Sequence, residues 1–211
     1  MDKAFAKNFL QLCLDQNHPQ MLAKSYQDYH VKGFNSIILT SAENLTIRLY
    51  ICLPGETALN PNNDNILVHN HSFDFQTQVL IGYLENAVYE TSKVTTQEGV
   101  WHKYIYESAL NNTTGEMKLK FIEETPLELV KLQHVEAGAS YCLHHHELHR
   151  IFVPNDRLVA MLFWQHRKIE QTPLIFSKVA QPEVFPTTGL YNRFASKKEI
   201  RDLVHLVIEN L

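Results

Sequence analysis

The spacing of hydrophobic residues changes twice along the chain. Over residues 3–16 they recur every three or four positions, which predicts an amphipathic helix, and a second helix is expected over about 18–30. From Phe34 the period is two, as in strands with one buried face. A helical period returns near the end, where Ser196 and Glu199 have capping-box spacing. The strand-like runs between these helices are short: 45–53, 65–69, 75–81, 84–90, 100–107, 117–123, 127–135, 149–153 and 158–165.

Many short strands separated by turn residues favour a sandwich or barrel over alternating β-α units. The sequence Asn-Asn-Thr-Thr-Gly at 111–115 is typical of a hairpin tip. We therefore predict one mainly β domain over residues 1–211, with its helices packed outside a barrel. Its expected parts are a helical amino-terminal region of about 1–32, a β-barrel of about 34–180 and a carboxy-terminal helix of about 196–211.

Charge and composition narrow the function classes. The 211 residues include 19 Lys+Arg and 23 Asp+Glu, whereas a phosphate-binding face normally gives a basic excess. Nucleic acid is therefore not expected as a partner. No apolar run reaches the roughly 18 residues that span a bilayer, so no membrane association is expected either. Cys13, Cys52 and Cys142 are too few and too widely spaced for a disulfide framework, which favours a cytoplasmic protein.

Twelve histidines are many for this length, and several of them cluster. His69 and His71 are two residues apart, so on an extended strand their side chains project to the same side. Four more histidines fall within residues 144–149, of which His144–His146 are expected in a polar turn. His149 opens an apolar run and is expected at the start of a buried strand. Imidazole suits iron, zinc, nickel and copper, so this spacing indicates a metal site without identifying the ion.

These clusters resemble the two motifs of the cupin superfamily. The first motif carries His-x-His and a later glycine that closes a strand turn, and here His69, His71 and Gly82 fit it. The second begins with glycine and places its histidine eleven residues later, which matches Gly138 and His149. The resemblance covers about residues 34–165. It implies a double-stranded β-helix, a jelly-roll barrel that holds a metal ion inside.

Within cupins the chain is most similar to the cysteine dioxygenase-like thiol dioxygenases. The sequence Leu-His-Arg-Ile at 148–151 resembles their Leu-His-Arg-Val, whose histidine is the third iron ligand. This likeness implies a mononuclear non-haem iron(II) site held by His69, His71 and His149. It also implies an oxidoreductase that acts on a small molecule with dioxygen.

Several positions depart from that group. Phe75 stands seven residues before Gly82, where most cupins have glutamate and mammalian cysteine dioxygenases have cysteine. The outer-shell histidine and tyrosine fall at Leu162 and Trp164, and the substrate-binding arginine falls near Ser36. Cysteine itself is therefore not the expected substrate. The departures indicate a retained metal site in a rebuilt pocket.

The roles of the polar residues around this site stay open at the level of sequence. Asp74 is either a further ligand or a turn-capping carboxylate, and Gln76 or Gln78 could orient the ligand histidines. His102 and Tyr104 are the candidate catalytic residues, because they share one strand face and could move a proton if that face points inward. The alternative for that strand is an aromatic outer face.

Three functions remain as hypotheses. The first is a cytoplasmic iron(II) dioxygenase whose small-molecule substrate chelates the metal. The second is a redox-silent zinc or nickel hydrolase or isomerase, and the third is a non-catalytic metal- or ligand-binding barrel. Exposed strand edges would allow a homodimer. Near the carboxy terminus, Tyr191 and Arg193 either close over the barrel mouth or belong to a surface loop.

Overall fold

The chain forms a two-sheet β structure with helices at both ends. The computed structural model describes residues 2–56, 67–111, 116–169, 172–186 and 191–211. The helices of these ranges are α1 (Lys3–Gln16), α2 (Gln20–Ala23) and α3 (Lys197–Asn210). The strands are β1 (Tyr26–Gln27), β2 (Phe34–Ser41), β3 (Leu45–Cys52), β4 (Val68–His69), β5 (Phe75–Ile81), β6 (Tyr83–Thr91), β7 (Val100–Asn111), β8 (Glu116–Glu136), β9 (Ser140–Leu143), β10 (Leu148–Phe152), β11 (Val159–His166), β12 (Leu174–Ser177), β13 (Val184–Pro186) and β14 (Asn192–Arg193).

The strands are shared between two antiparallel sheets. The first has the order β14-β1-β2-β3-β11-β5-β9, and the second has the order β13-β8-β6-β10-β4-β12-β7. From β4 to β6, and again from β9 to β12, the chain alternates between the sheets, and strands of these two units pair with each other. This alternation is the double-stranded β-helix, so the predicted fold class is confirmed. In the described part of the chain, no helix is long and apolar enough to cross a membrane.

Period-two patterning creates two cores, one on each face of the first sheet. On β3, Leu49 and Ile51 are fully buried on the outer face, in the cluster that also contains the buried residues of α1 and α3. Tyr50 and Cys52 point the other way, into the cluster between the sheets. The helices thus cover the outer face, as predicted, and the inner face is left for the site. Ser196 accepts a hydrogen bond from the Glu199 amide and begins α3, as its spacing indicated.

Two element predictions were wrong in extent. The second helix is a single turn, Gln20–Ala23, because the chain then enters β1, and the Ser25 hydroxyl accepts a hydrogen bond from the Ile38 amide of β2. The runs 117–123 and 127–135 belong to one strand, β8, which pairs with β7 up to Pro126 and with β6 from Leu127 onward. Residues 112–115 of the expected hairpin tip and 65–66 of an expected strand lie outside the described residues.

Candidate metal centre

Two of the three predicted ligand histidines are direct neighbours in the second sheet. His69 ends β4 and His149 is the second residue of β10, and the two are opposite each other in the antiparallel pair. Residues paired in this way project from the same face of a sheet. The His149 side chain is buried, with only 4% of the residue exposed. The sheet therefore holds two imidazoles side by side in the interior.

His71 completes the group from the segment between β4 and β5. Its backbone N–H donates to the His145 carbonyl at 3.3 Å, which ties this segment to the turn that precedes β10. The His71 and His149 Nε2 atoms are 3.0 Å apart, and one ligand atom from each of the three histidines lies within 4.8 Å of the other two. Sequence spacing and the resemblance both selected these residues, and the fold brings them together.

Hydrogen bonds on the far side of two rings set which nitrogen faces the centre. His149 Nδ1 is 2.9 Å from the Oδ1 atom of buried Asn86, and His69 Nδ1 is 3.0 Å from the Leu67 carbonyl oxygen. Both oxygens are acceptors, so each Nδ1 carries the hydrogen and each Nε2 keeps a lone pair. Partners of this kind are what fixes the orientation of metal-binding imidazoles. The donor set therefore suits a divalent transition-metal ion.

These orienting partners were not the ones that the sequence suggested. Gln78 instead donates to the Gly138 carbonyl at 3.2 Å, and Gln76 has no hydrogen bond to the histidines in the described residues. Asn86 lies on β6 opposite Ile151 of β10, a relation that only the strand register reveals. No local signal marks Asn86, because this contact depends on strand pairing.

Burial keeps the three imidazoles neutral. It lowers the pKa of His69, and it lowers the pKa of His149 further, with added repulsion from His69. The pKa of His71 is lowered by burial and then by the neighbouring imidazoles of His69, His149 and His30. Neutral imidazole is the form that binds a metal ion. At neutral pH the site therefore offers lone pairs and no protein charge.

Aromatic side chains form an apolar wall beside the histidines. The Phe75 ring centre is 4.8 Å from that of His71 and 5.5 Å from that of His149, and Phe73 is 5.0 Å from His71. Phe163 packs behind Phe75 at 4.6 Å. Phe75 thus occupies space beside the three histidines, and it provides no donor atom.

Asp74 caps a turn. Its Oδ1 accepts hydrogen bonds from the His145 amide at 2.7 Å and from His145 Nδ1 at 2.9 Å, and its Oδ2 is 3.7 Å from His144 Nδ1. The bond from the His145 amide is the largest cause that lowers the Asp74 pKa. Glu147 accepts from the His144 amide at 2.6 Å in the same turn. Of the two alternatives for Asp74, the contacts favour the capping carboxylate, which links the segments that carry His71 and His149.

The candidate catalytic residues on β7 lie farther from the centre. Tyr104 pairs with Ile175, which in turn pairs with His69, so all three share a sheet face but Ile175 lies between the other two. The Tyr104 hydroxyl accepts from the Gln181 amide at 2.8 Å, and His102 Nδ1 is 3.8 Å from Glu124. The fold brings neither side chain into contact with the three histidines. Their catalytic assignment stays a prediction.

Sequence reasoning missed a polar group formed by His30 and Tyr191. His30 Nδ1 is 2.5 Å from the Tyr191 hydroxyl, and both rings pack on Tyr29. Arg48, on the inner face of β3, donates to the Ser36 hydroxyl at 3.0 Å. Nothing in the local pattern around His30 marks it, because its partner is 161 residues away in the sequence.

Comparisons with known proteins reach only distant structures. No protein-family model matches the chain, and no curated protein matches it. The polyketide cyclase RemF from Streptomyces resistomycificus is 10% identical over 76% of this chain and 82% of its own, with a TM-score of 0.42. A cupin domain from Bordetella pertussis Tohama I is 15% identical over 64% of this chain and 94% of its own, with a TM-score of 0.34.

A third such structure is hydroquinone 1,2-dioxygenase from Sphingomonas sp. TTNP3 with 4-hydroxybenzoate bound. It is 12% identical over 63% of this chain and 65% of its own, with a TM-score of 0.35. Likenesses this weak carry no argument about the metal or the reaction. The chain is a mainly β protein with the double-stranded β-helix topology of cupins, in which three histidines form a group able to hold a metal ion.

Proposed function

We propose that the protein is a metal-dependent enzyme in which His69, His71 and His149 hold one divalent ion, iron(II) by preference. Its substrate is a small molecule that binds the metal through an anionic atom and is oxidised with dioxygen. The observation that carries the proposal is the fixed orientation of His69 and His149, whose Nδ1 hydrogens are held by Leu67 and Asn86 so that both Nε2 lone pairs remain free.

The donor set supports an anionic substrate. Three neutral imidazoles leave the two positive charges of the ion uncompensated, whereas a carboxylate in a facial triad would reduce the charge by one. Bound iron(II) would supply open coordination positions and one-electron chemistry. A thiolate, enolate or catecholate would complete the charge balance that the protein leaves open.

The protein's own side chains would exclude water and prevent further protein ligation. Phe73 and Phe75 press against His71, so the space on that side of the centre is apolar. Asn86 holds the hydrogen on His149 Nδ1, which keeps Nε2 unprotonated. These residues favour a dry, shaped pocket, in which electrostatic interactions are stronger than in bulk water.

Elemental analysis of protein purified without a histidine tag tests the proposal. We expect about one iron per chain and oxygen uptake on addition of thiols or diketones. His71→Ala should abolish stoichiometric metal, and His134→Ala, which changes an exposed histidine on β8, should not. Stoichiometric zinc or nickel without oxygen uptake would contradict the oxygenase function and favour a redox-silent hydrolase or isomerase. Two results together would overturn the metal-dependent function: the purified protein contains no metal, and His71→Ala leaves the affinity for added metal unchanged.

A further inference from the structure

Asn70, which separates two of the three histidines in the sequence, is buried where β4 leaves the sheet. Only 2% of the residue is exposed, and β4 ends at the preceding His69. On the neighbouring strand β12, Ile175 pairs with His69, so Leu174 lies opposite Asn70. A buried polar side chain must find its hydrogen-bond partners inside the protein. Asn70 finds one on β12.

Asn70 and Leu174 are joined by two hydrogen bonds, of which one is made by a side chain. The Asn70 amide donates to the Leu174 carbonyl at 3.2 Å, as in a regular antiparallel pair. The Leu174 amide donates to Asn70 Oδ1 at 2.6 Å. In a regular hydrogen-bonded pair, that second bond would go to the backbone carbonyl of the opposite residue. The side-chain oxygen of Asn70 therefore stands in for the carbonyl of the same residue.

The main chain changes its hydrogen-bond partners directly after Asn70. The His71 amide donates to the His145 carbonyl at 3.3 Å, in the turn that precedes β10. The Ser72 carbonyl accepts from the Ile169 amide at 2.6 Å. Neither of these contacts involves β12. The chain thus leaves β12 at the residue whose side chain completes the last pair with that strand.

This departure determines where the His71 imidazole lies. His69 reaches the three-histidine group directly from the sheet, whereas His71 belongs to the segment that has left it. His71 Nε2 nevertheless lies 3.0 Å from His149 Nε2. A metal site needs its ligands held to within about 0.5 Å of the binding geometry. The exact point at which the chain leaves β12 is therefore part of the geometry of the site.

An apolar residue at position 70 would offer no side-chain acceptor. The buried Leu174 amide would then either lose its partner, which is costly, or bond to the backbone carbonyl of residue 70. The second arrangement extends the pairing of β4 with β12 by one residue. It would draw the following His71 toward β12 and away from His145.

We propose that Asn70 is a positioning residue for the metal centre. Its side-chain oxygen completes the last pair of β4 with β12, so that the next residue, His71, can leave the sheet and join the other two histidines. The inference rests on the proposed function, because the position of His71 affects binding only if the group holds a metal. Whereas Asn86 orients a ring that is already in the sheet, Asn70 sets the path of the main chain.

The first measurement uses the metal-free full chain and tests the hydrogen bond itself. By NMR, scalar coupling across the hydrogen bond from the Leu174 amide nitrogen identifies the carbon of its acceptor. We expect coupling to the side-chain carbonyl carbon of Asn70. Coupling to the backbone carbonyl carbon of Asn70 instead would overturn the inference before any metal is added.

The second measurement is a double-mutant cycle on cobalt(II) affinity, followed by the visible spectrum of the bound ion. Asn70→Ala should weaken cobalt binding by about 10–100-fold, as the loss of an orienting partner usually does. In the His71→Ala chain, the same change should alter the residual affinity by less than about twofold, because the ligand that Asn70 positions is already absent.

Two further variants distinguish positioning from general stabilisation. Asn70→Asp keeps an acceptor oxygen, so His71→Ala should weaken cobalt binding in that chain as strongly as in the unmodified one, whatever the added charge contributes. This comparison and the NMR coupling decide the question even where Asn70→Ala does not fold. Asn35→Ala removes another buried asparagine, which donates to the Ile51 carbonyl on the first sheet, and should leave cobalt affinity within about twofold.

The outcomes separate this inference from the function on which it rests. The role of Asn70 would be overturned, with the metal site intact, if Asn70→Ala left cobalt affinity unchanged or weakened it equally with and without the His71 imidazole. An equal loss of affinity in Asn35→Ala would overturn it as well. Absence of cobalt binding in the unmodified chain would remove the proposed function, and the inference with it.

Discussion

At the scale of single residues, the orientation of His149 depends on one buried amide. Asn86 is 1% exposed, and its Oδ1 atom accepts the hydrogen of His149 Nδ1 at 2.9 Å. This burial separates the contact from bulk solvent. The same ring must also keep its Nε2 lone pair free for a metal. If the site binds a metal as proposed, Asn86 contributes both to folding and to metal affinity.

Asn86→Leu should separate these contributions. Removal of the acceptor leaves a buried N–H without a partner, which should lower the free energy of unfolding by about 1–3 kcal/mol. Metal affinity should fall by about 10–100-fold, the usual effect of losing an orienting partner. Metal titration and urea denaturation measure the two effects.

Asn35→Leu is the control for the loss of a buried asparagine. Asn35 is 6% exposed and donates to the Ile51 carbonyl on the first sheet, away from the histidines. This change should reduce stability with metal affinity within about twofold of the original. Equal losses of metal affinity in both variants would contradict the specific role of Asn86.

The sequence could identify the three histidines that form the candidate metal site but not the residues around them. His69, His71 and His149 follow motif spacings that are visible in one dimension. The contacts of Asn86 with His149 and of His30 with Tyr191 depend on which strands become neighbours. His30 and Tyr191 are 161 residues apart in the sequence. Spacing along the chain contains no information about such contacts.

At the scale of elements, Gly82 allows β5 to turn into β6. Its φ is +73°, and a Cβ atom at this position would lie 2.8 Å from the Leu158 carbonyl oxygen and 3.0 Å from Val159 Cγ2. Both the backbone conformation and the close approach of β11 therefore require glycine. Gly138, the other motif glycine, has φ +90° but open space around its would-be Cβ.

Gly82→Ala should consequently cost more stability than Gly138→Ala. Alanine at a positive φ costs on the order of 1–2 kcal/mol at either site. At Gly82 the contact with the Leu158 carbonyl, just before β11, should add about 2 kcal/mol, as overpacking does in a close-packed interior. Equilibrium denaturation of both variants measures the difference, and equal destabilisation would show that the β5–β6 turn relaxes away from β11.

Secondary-structure elements were predicted well where one face of the element is buried. They were predicted less well where pairing with a distant strand decides the conformation. The alternation in β3 and the cap of α3 are local signals, and both predictions agree with the structure. The helix expected over 18–30 ends at Ala23, because residues beyond it pair with β2 and β14. Pairing with distant strands overrides local helical preference, and only the fold supplies that information.

At the scale of the whole molecule, neutral desolvated histidines make the metal-free fold sensitive to acid. The pKa values of His30, His71 and His149 all lie below 6.5, the ordinary value of the unfolded chain. Below about pH 6.5 the unfolded chain therefore binds protons that the folded protein does not bind. The stability contributed by these groups is complete above that pH and is lost as the pH falls toward the lowered pKa values.

The Tm of the metal-free protein should accordingly decrease as the pH is lowered from 7.5 to 5.5. Asp and Glu side chains stay ionised over most of this range, so the slope reports mainly on histidine. His30→Phe removes one of the contributing groups and should flatten the slope. A Tm independent of pH over this interval would mean that the interior imidazoles are not desolvated as described.

One consequence of the β4–β10 pairing concerns the folding of the barrel itself. His69 faces His149 directly, and alternate residues of a strand point to opposite sides. A slip of β10 by a single position would put Leu148 or Arg150 opposite His69 and would remove one of the three nitrogen donors. Such a misaligned barrel could keep most of its backbone ladder. Binding of a cation would then stabilise only the barrel with the correct strand register, so that the metal would also select this register during folding.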